Sequence, residues 1–111
     1  MTDEQIDNLT DPEFAHAVAE MMGLGCTFQD CWKLPSGKLI SKKDWHPLTS
    51  WSDWGVFYEW MIGRGWQSYH AEEMGITTWK WMNIDILETA TDPDIRRAML
   101  IAGLKAEEKG E

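Results

Sequence analysis

Lys42, Lys43, Trp45 and His46 lie within five consecutive positions of a chain whose overall formal charge is −9. Two ammonium groups, an indole and an imidazole are what a protein uses to hold a phosphate and the flat ring attached to it. Lysine supplies a point charge, a ring N–H donates to an oxygen, and stacking on an aromatic plane contributes roughly 1–3 kcal/mol per base. Trp60 offers a second plane and Arg64 a bidentate phosphate partner. Arg96 and Arg97, near the start of the last expected helix, join the set if that helix end meets the loop. The candidate ligand-binding residues are thus Lys42, Lys43, Trp45, His46, Trp60, Arg64, Arg96 and Arg97. The competing reading is structural: charge runs usually face water, and Trp45 plugs the entrance to the helix that follows it.

Other chemistries find less support. Zinc sites favour tight CxxC pairs with well-spaced histidines, whereas Cys26 and Cys31 are separated by four residues and His16, His46 and His70 are scattered. His16 and Glu20 stand four apart on an expected helix, which reads first as a surface pair. No GxSxG, HExxH, P-loop or GxGxxG occurs, and no acid–base pair stands out. The expectation is a protein without metal, cofactor or catalytic site.

The charge is unevenly distributed. Residues 1–31 carry seven acids and no Lys or Arg, and the positive island at residues 33–43 is the exception in the chain. A strongly acidic protein is a poor binder of duplex DNA or of an anionic membrane, because Lys and Arg supply most of that affinity. The acidic N-terminus does not resemble a signal peptide, and no apolar run is long enough for a transmembrane helix, so a reducing cytoplasm is expected.

These residues must be positioned by elements that the patterning suggests. Asp11 as cap and Pro12 open a helix with Phe14, Ala17, Val18, Met21 and Met22 on one face, ended by Gly23 and Gly25. TFQDCWKL and KLISK read as short strands about the turn at Pro35-Ser36-Gly37. Ser50 or Ser52 caps a second helix, whose inward stripe is Trp51, Trp54, Phe57, Tyr58, Met61 and Ile62, before Gly63 and Gly65 stop it. Residues 66–73 and 78–87 read as a hairpin about a turn at Met74-Gly75-Ile76-Thr77, with Trp79 and Trp81 on one face and Lys80, Met82, Ile84 and Ile86 on the other. Apolar groups on both faces imply cover on both. Thr91 or Asp92 then caps a last helix with Ile95, Ala98, Met99, Ala102 and Ala106 on a narrow face. The order is helix, short strands, helix, strand hairpin, helix: an α+β domain of helices packed on a small antiparallel sheet. Its expected bounds are residues 11–106, with a frayed acidic N-terminus at 1–10 and a polar tail at 107–111.

Particular words within that order carry a resemblance. Trp45, Pro47, Leu48 and Trp51 form a Trp-x-Pro-Leu-x-x-Trp stretch leading into an amphipathic helix with Asp53 near its start. A Trp-bearing hairpin follows, then Ala90, Thr91 and Pro93 introduce an Ala-rich helix containing Arg96, Arg97 and Ala98. Over residues 11–106 the chain resembles the phage ABA-sandwich domain family. That resemblance implies an α/β/α-type sandwich and a small phage- or prophage-encoded protein of the bacterial cytoplasm, with no established activity. Two functions then compete. One is an accessory protein that counters host defence by sequestering a small nucleotide signal. The other is an acidic interaction module that inhibits a host protein or mimics its ligand. The surplus of eight Trp and seven Met in a chain of 111 residues also suggests a homo-oligomer.

Overall fold

The computed structural model describes residues 1–25 and 30–109. Cys26 and the start of the strand expected from Thr27 lie outside them, as do the last two residues of the chain. The first helix, α1 (Asp3–Asp7), falls where fraying was expected. Thr2 and Gln5 form a capping box, so two otherwise orphaned N–H groups are satisfied reciprocally. Ile6 is fully buried, and Asp7 pairs with Lys105 at 3.0 Å, so residues 1–10 are part of the domain. The same capping logic moves the start of α2 (Asp11–Met21). Its cap is Thr10, one residue before the Asp11 expected, with Glu13 reaching back to the Thr10 N–H at 2.9 Å. Those bonds to Thr10 hold the Glu13 carboxyl below its ordinary range.

Two antiparallel sheets follow. Strands β1 (Cys31–Lys33) and β2 (Leu39–Ser41) pair about the Pro35-Ser36-Gly37 turn, with Trp32 opposite Ile40. A 3-10 turn at Lys42–Asp44 and an irregular loop lead to α3 (Trp51–Gly63), where Ser50 accepts from the Asp53 N–H. Beyond α3, β3 (Gln67–Glu73) and β4 (Ile76–Met82) form a hairpin whose two tip residues, Met74 and Gly75, both have positive φ, so Ile76 and Thr77, expected in the turn, already pair as the start of β4. That is the turn geometry that matches strand twist.

The expected strand from Thr78 to Leu87 is really two strands. Asn83 Oδ1 accepts the N–H groups of both Asp85 and Ile86, closing a turn after Met82. Strand β5 (Leu87–Asp92) returns beside β4, so the hairpin becomes a three-stranded meander in the order β3-β4-β5. Ile84, read as part of a strand face, stands at the turn and is 98% exposed.

The last helix, α4 (Ile95–Lys109), begins later than Thr91 or Asp92 would set it: Asp94 Oδ1 accepts the Arg96 N–H at 2.9 Å. It is buried around much of its circumference, well beyond the narrow face expected. Residues 98–102, Gly103, Leu104, Ala106 and Glu107 are all buried. Residues 107–109, read as tail, are its final turn. The architecture is the expected α+β one, with α4 packed on the face of β4 and β5 that carries Trp79 and Trp81.

Helix α3 joins the same layer: Phe57 and Met61 are buried, and Trp54 and Tyr58 meet Trp79 edge-to-face. Trp51 does not share that burial. It is 56% exposed, and Ile62 is exposed as well, so the inward stripe is narrower than its spacing implied. The opposite face of the sheet, with Tyr69, Ile76 and Leu87, is exposed rather than covered.

Close approach of α4 depends on Gly103. A Cβ there would lie 2.5 Å from Phe57 Cε2 and 2.8 Å from Cζ. Alanine favours a helix interior by about 1 kcal/mol over glycine, but overpacking a dense core costs about 1–3 kcal/mol. Gly103→Ala is expected to lower the urea midpoint and the melting temperature. An unchanged or higher Tm would mean that Phe57 yields freely.

Candidate binding cleft

Four of the candidate residues converge. Lys42, Lys43, Trp45 and His46 line one cleft of about 510 Å3, whose opposite wall is the first turn and a half of α2: Asp11, Pro12, Ala15 and His16. Trp32, Leu48 and Thr49 complete it. The arrangement follows from how the loop after β2 is tied down. The Trp45 indole N–H donates to the Ala15 carbonyl at 2.9 Å, thirty residues away in sequence. The ring is only 1% exposed, so it forms a buried wall of the cleft and not an open stacking platform.

A second tie is electrostatic. Asp53, 6% exposed, accepts the backbone N–H of His46 at 2.9 Å. The Trp-x-Pro-Leu turn, with Pro47 and Leu48 buried, is thereby held against the N-terminus of α3. Lys42 N–H donates to the Asp30 carbonyl at 2.6 Å, and Lys42 Nζ lies 4.5 Å from the centroid of Trp32. His16 flanks the same ring at 5.5 Å and bonds Glu20 at 2.9 Å, the surface pair its spacing suggested. Trp32 and His16 belong to the cleft and were not among the candidate ligand-binding residues read from sequence. The hairpin register, which sets Trp32 opposite Ile40 and so beside Lys42, was the signal that would have found Trp32.

Arg96 and Arg97 reach the rim of the cleft, where both are engaged. Arg96 Nη1 donates to the Thr49 carbonyl at 2.9 Å, and its guanidinium lies 4.7 Å over Trp51. The start of α4 therefore does meet the loop, with Arg96 acting as a brace. Arg97 sits 3.4 Å from Asp92 and 3.7 Å from Asp11, which offsets the one carboxylate lining the cleft.

Trp60 and Arg64 stand elsewhere. Trp60 lines a separate depression of about 200 Å3 with Leu34 and Pro35. Arg64 lies 4.8 Å over Trp60 and grips Glu107 with two nitrogens, at 2.7 and 2.9 Å. Glu107 is 2% exposed and also accepts the Trp66 indole N–H at 2.6 Å. That is a structural ion pair linking the end of α3 to the end of α4. A larger depression of about 690 Å3 lies beside α2, but Glu13, Glu20 and Glu108 line it and oppose an anion.

Among the described residues no group of three or more His, Cys, Asp or Glu side chains could hold a metal ion, and no helix is long and apolar enough to cross a membrane. Comparison with protein-family models, with curated proteins and with solved structures finds no match to this chain.

Unfolding measurements can weigh both ties. Asp53→Ala leaves the His46 N–H without its acceptor and is expected to cost about 1–3 kcal/mol in urea unfolding, with Asp53→Asn costing less because an amide oxygen still accepts. Equal losses for the two variants would remove the hydrogen bond as the cause. Arg64→Ala strands the Glu107 carboxylate and is expected to cost about 3 kcal/mol. Adding Glu107→Gln should recover part of that, since a neutral amide tolerates burial. A double variant no more stable than Arg64→Ala would show the ion pair to be incidental.

Proposed function

We propose that the protein binds a small anionic ligand of the nucleotide class in the cleft between α2 and the loop at residues 42–49. The observation that carries this reading is how the cations are allocated. Among the described residues Arg64, Arg96, Arg97, Lys105 and Lys109 all form ion pairs within the chain, whereas Lys33, Lys38, Lys42, Lys43 and Lys80 form none, and of these five only Lys42 and Lys43 line the cleft. Its volume falls within the range of about 300–1,000 Å3 usual for small-molecule sites. The lysines would meet phosphate oxygens as point charges, with His46 and His16 as donors beside them. A base would lie against Pro12 and the edge of Leu48, since Trp45 is buried behind them and Lys42 already covers a face of Trp32.

Binding without turnover suits a protein that removes a ligand from circulation. With the resemblance of the stretch at residues 45–51 to phage proteins, the reading becomes a phage accessory protein of the bacterial cytoplasm that sequesters a host nucleotide signal. The second reading, an acidic module directed at a host protein, is favoured by the carboxylate-lined depression beside α2, where Leu9 and Met21 offer apolar anchors.

Titration calorimetry with mono-, di- and cyclic nucleotides tests the first reading. The joint variant Lys42→Ala, Lys43→Ala is expected to weaken binding at least about tenfold and to flatten its salt dependence, as loss of two phosphate contacts would. Trp60→Ala, outside the cleft, should leave affinity unchanged. Nucleotide affinity indifferent to both lysines would sink the cleft assignment. No binding of any nucleotide would transfer the argument to the acidic depression.

A further inference from the structure

Strand β3 is unlike the other two strands of its sheet. Six of its seven residues are exposed, while β4 and β5 are covered on one face by α4. Its only partner in the sheet is β4, so one edge of backbone N–H and C=O groups is unpaired within the described chain. Free edges of this length are normally blunted by a bulge, a proline or charged side chains, lysine above all. Strand β3, QSYHAEE, has no bulge, proline or lysine and confines its charges to Glu72 and Glu73 at one end, and its register with β4 runs unbroken through seven pairs.

We infer that β3 is the pairing edge of a homodimer, joining its own copy antiparallel to make a continuous six-stranded sheet. The sequence of the strand is what points to a second copy. A two-fold axis normal to the sheet pairs residues on the same face, and one centred on His70 sets Tyr69 opposite Ala71, Ser68 opposite Glu72 and Gln67 opposite Glu73. Both acids of the strand then face neutral hydrogen-bonding side chains, and no like charges oppose each other. Shifting the axis to Ala71 would bring Glu73 opposite Tyr69 and leave Gln67 and Ser68 without partners in the strand, so the His70 centre is the register that pairs all seven residues. In a chain of charge −9, an edge that two copies share without opposing acids avoids the like-charge pairs that would work against self-association. This inference is independent of the cleft, which β3 does not line.

The test is sedimentation equilibrium of the full chain from low micromolar to several hundred micromolar, with oxidation of two single-cysteine additions. A monomer–dimer equilibrium is expected. Gln67→Glu, which sets two Glu–Glu pairs across the axis, should raise the dissociation constant about tenfold. Combining it with Glu73→Gln should restore the constant, which separates pairing from a folding defect. His70→Cys should form a disulfide between the two copies of position 70, identified by peptide mapping. Tyr69→Cys, whose own copy lies a register step away and beyond disulfide reach, should not. A monomer at every concentration would overturn the inference, as would a dimer whose constant ignores Gln67→Glu and whose His70→Cys variant does not cross-link.

Discussion

Helix α4 can lie against both α3 and the sheet only because residue 103 has no side chain. Phe57 and the Trp81 indole nitrogen would stand 2.5 and 3.3 Å from a Cβ at that position. With glycine there, Trp81 comes near enough for its N–H to donate to the Met99 carbonyl at 3.1 Å, and Phe57 is completely buried. The alanines at 98, 102 and 106 extend the same close contact along the helix. Once α4 is seated, its two ends fix the rest: Arg96 braces the loop of the cleft at one end, and Glu107 receives Arg64 and Trp66 at the other. The acidic N-terminus also docks on it through Lys105 and Lys109.

Six of the eight tryptophans divide between two structural uses. Trp45, Trp66 and Trp81 each send the indole N–H to an acceptor on a distant element, so a large apolar ring and a directional bond serve in one side chain. Trp32, Trp51 and Trp60 each lie under a cation, Lys42, Arg96 and Arg64 respectively. Trp54 and Trp79 bury indole N–H groups that have no hydrogen-bond partner. Their mutual edge-to-face contact at 5.8 Å, with Tyr58 and His70 stacked alongside, offsets that cost with aromatic packing. Several residues that look like ligand apparatus in the sequence thus serve the fold's own cation–aromatic contacts.

What was legible in the sequence was local. The period of α2 and α3, the Pro35-Ser36-Gly37 and Met74-Gly75 turns, and the alternation that puts Trp79 and Trp81 on one face all come from neighbours within a few positions. Lys42, Lys43, Trp45 and His46 share a cleft because they are nearly contiguous. The turn after Met82 was hidden because Ile84 and Ile86 are strong strand formers, while the bonds that close it run from a single Asn83 side-chain oxygen. Trp51 fits the helical stripe by spacing, yet Arg96 from α4 takes its face outside the core, which no window of α3 records. Helix α4 was expected to bury only a narrow face because alanine and glycine carry little hydrophobic signal, although small residues are what a central helix needs for close approach. Trp60 and Arg64 failed to join the cleft for the same reason: Glu107, forty-three residues beyond Arg64, decides where that guanidinium goes.

The fold also sorts its charge. Asp3 and Asp7 meet Lys109 and Lys105, and Arg97 stands between Asp92 and Asp11, so acids near α4 are matched by bases on it. Lys109 is raised above its ordinary range mainly by its bond to Glu88, as this matching requires. Matching on that side leaves the α2 rim of the cleft with Asp11 offset, and the loop rim with two lysines that nothing in the described chain neutralises. The local field there is set by the loop and not by the net charge of −9. Charges at an open cleft are screened within roughly 8 Å at physiological ionic strength, so the distant acids contribute little while a bound phosphate beside both lysines contributes much. An acidic protein can in this way keep two lysines free of ion pairs at the rim of one cleft, provided that the fold first spends its arginines on its own carboxylates.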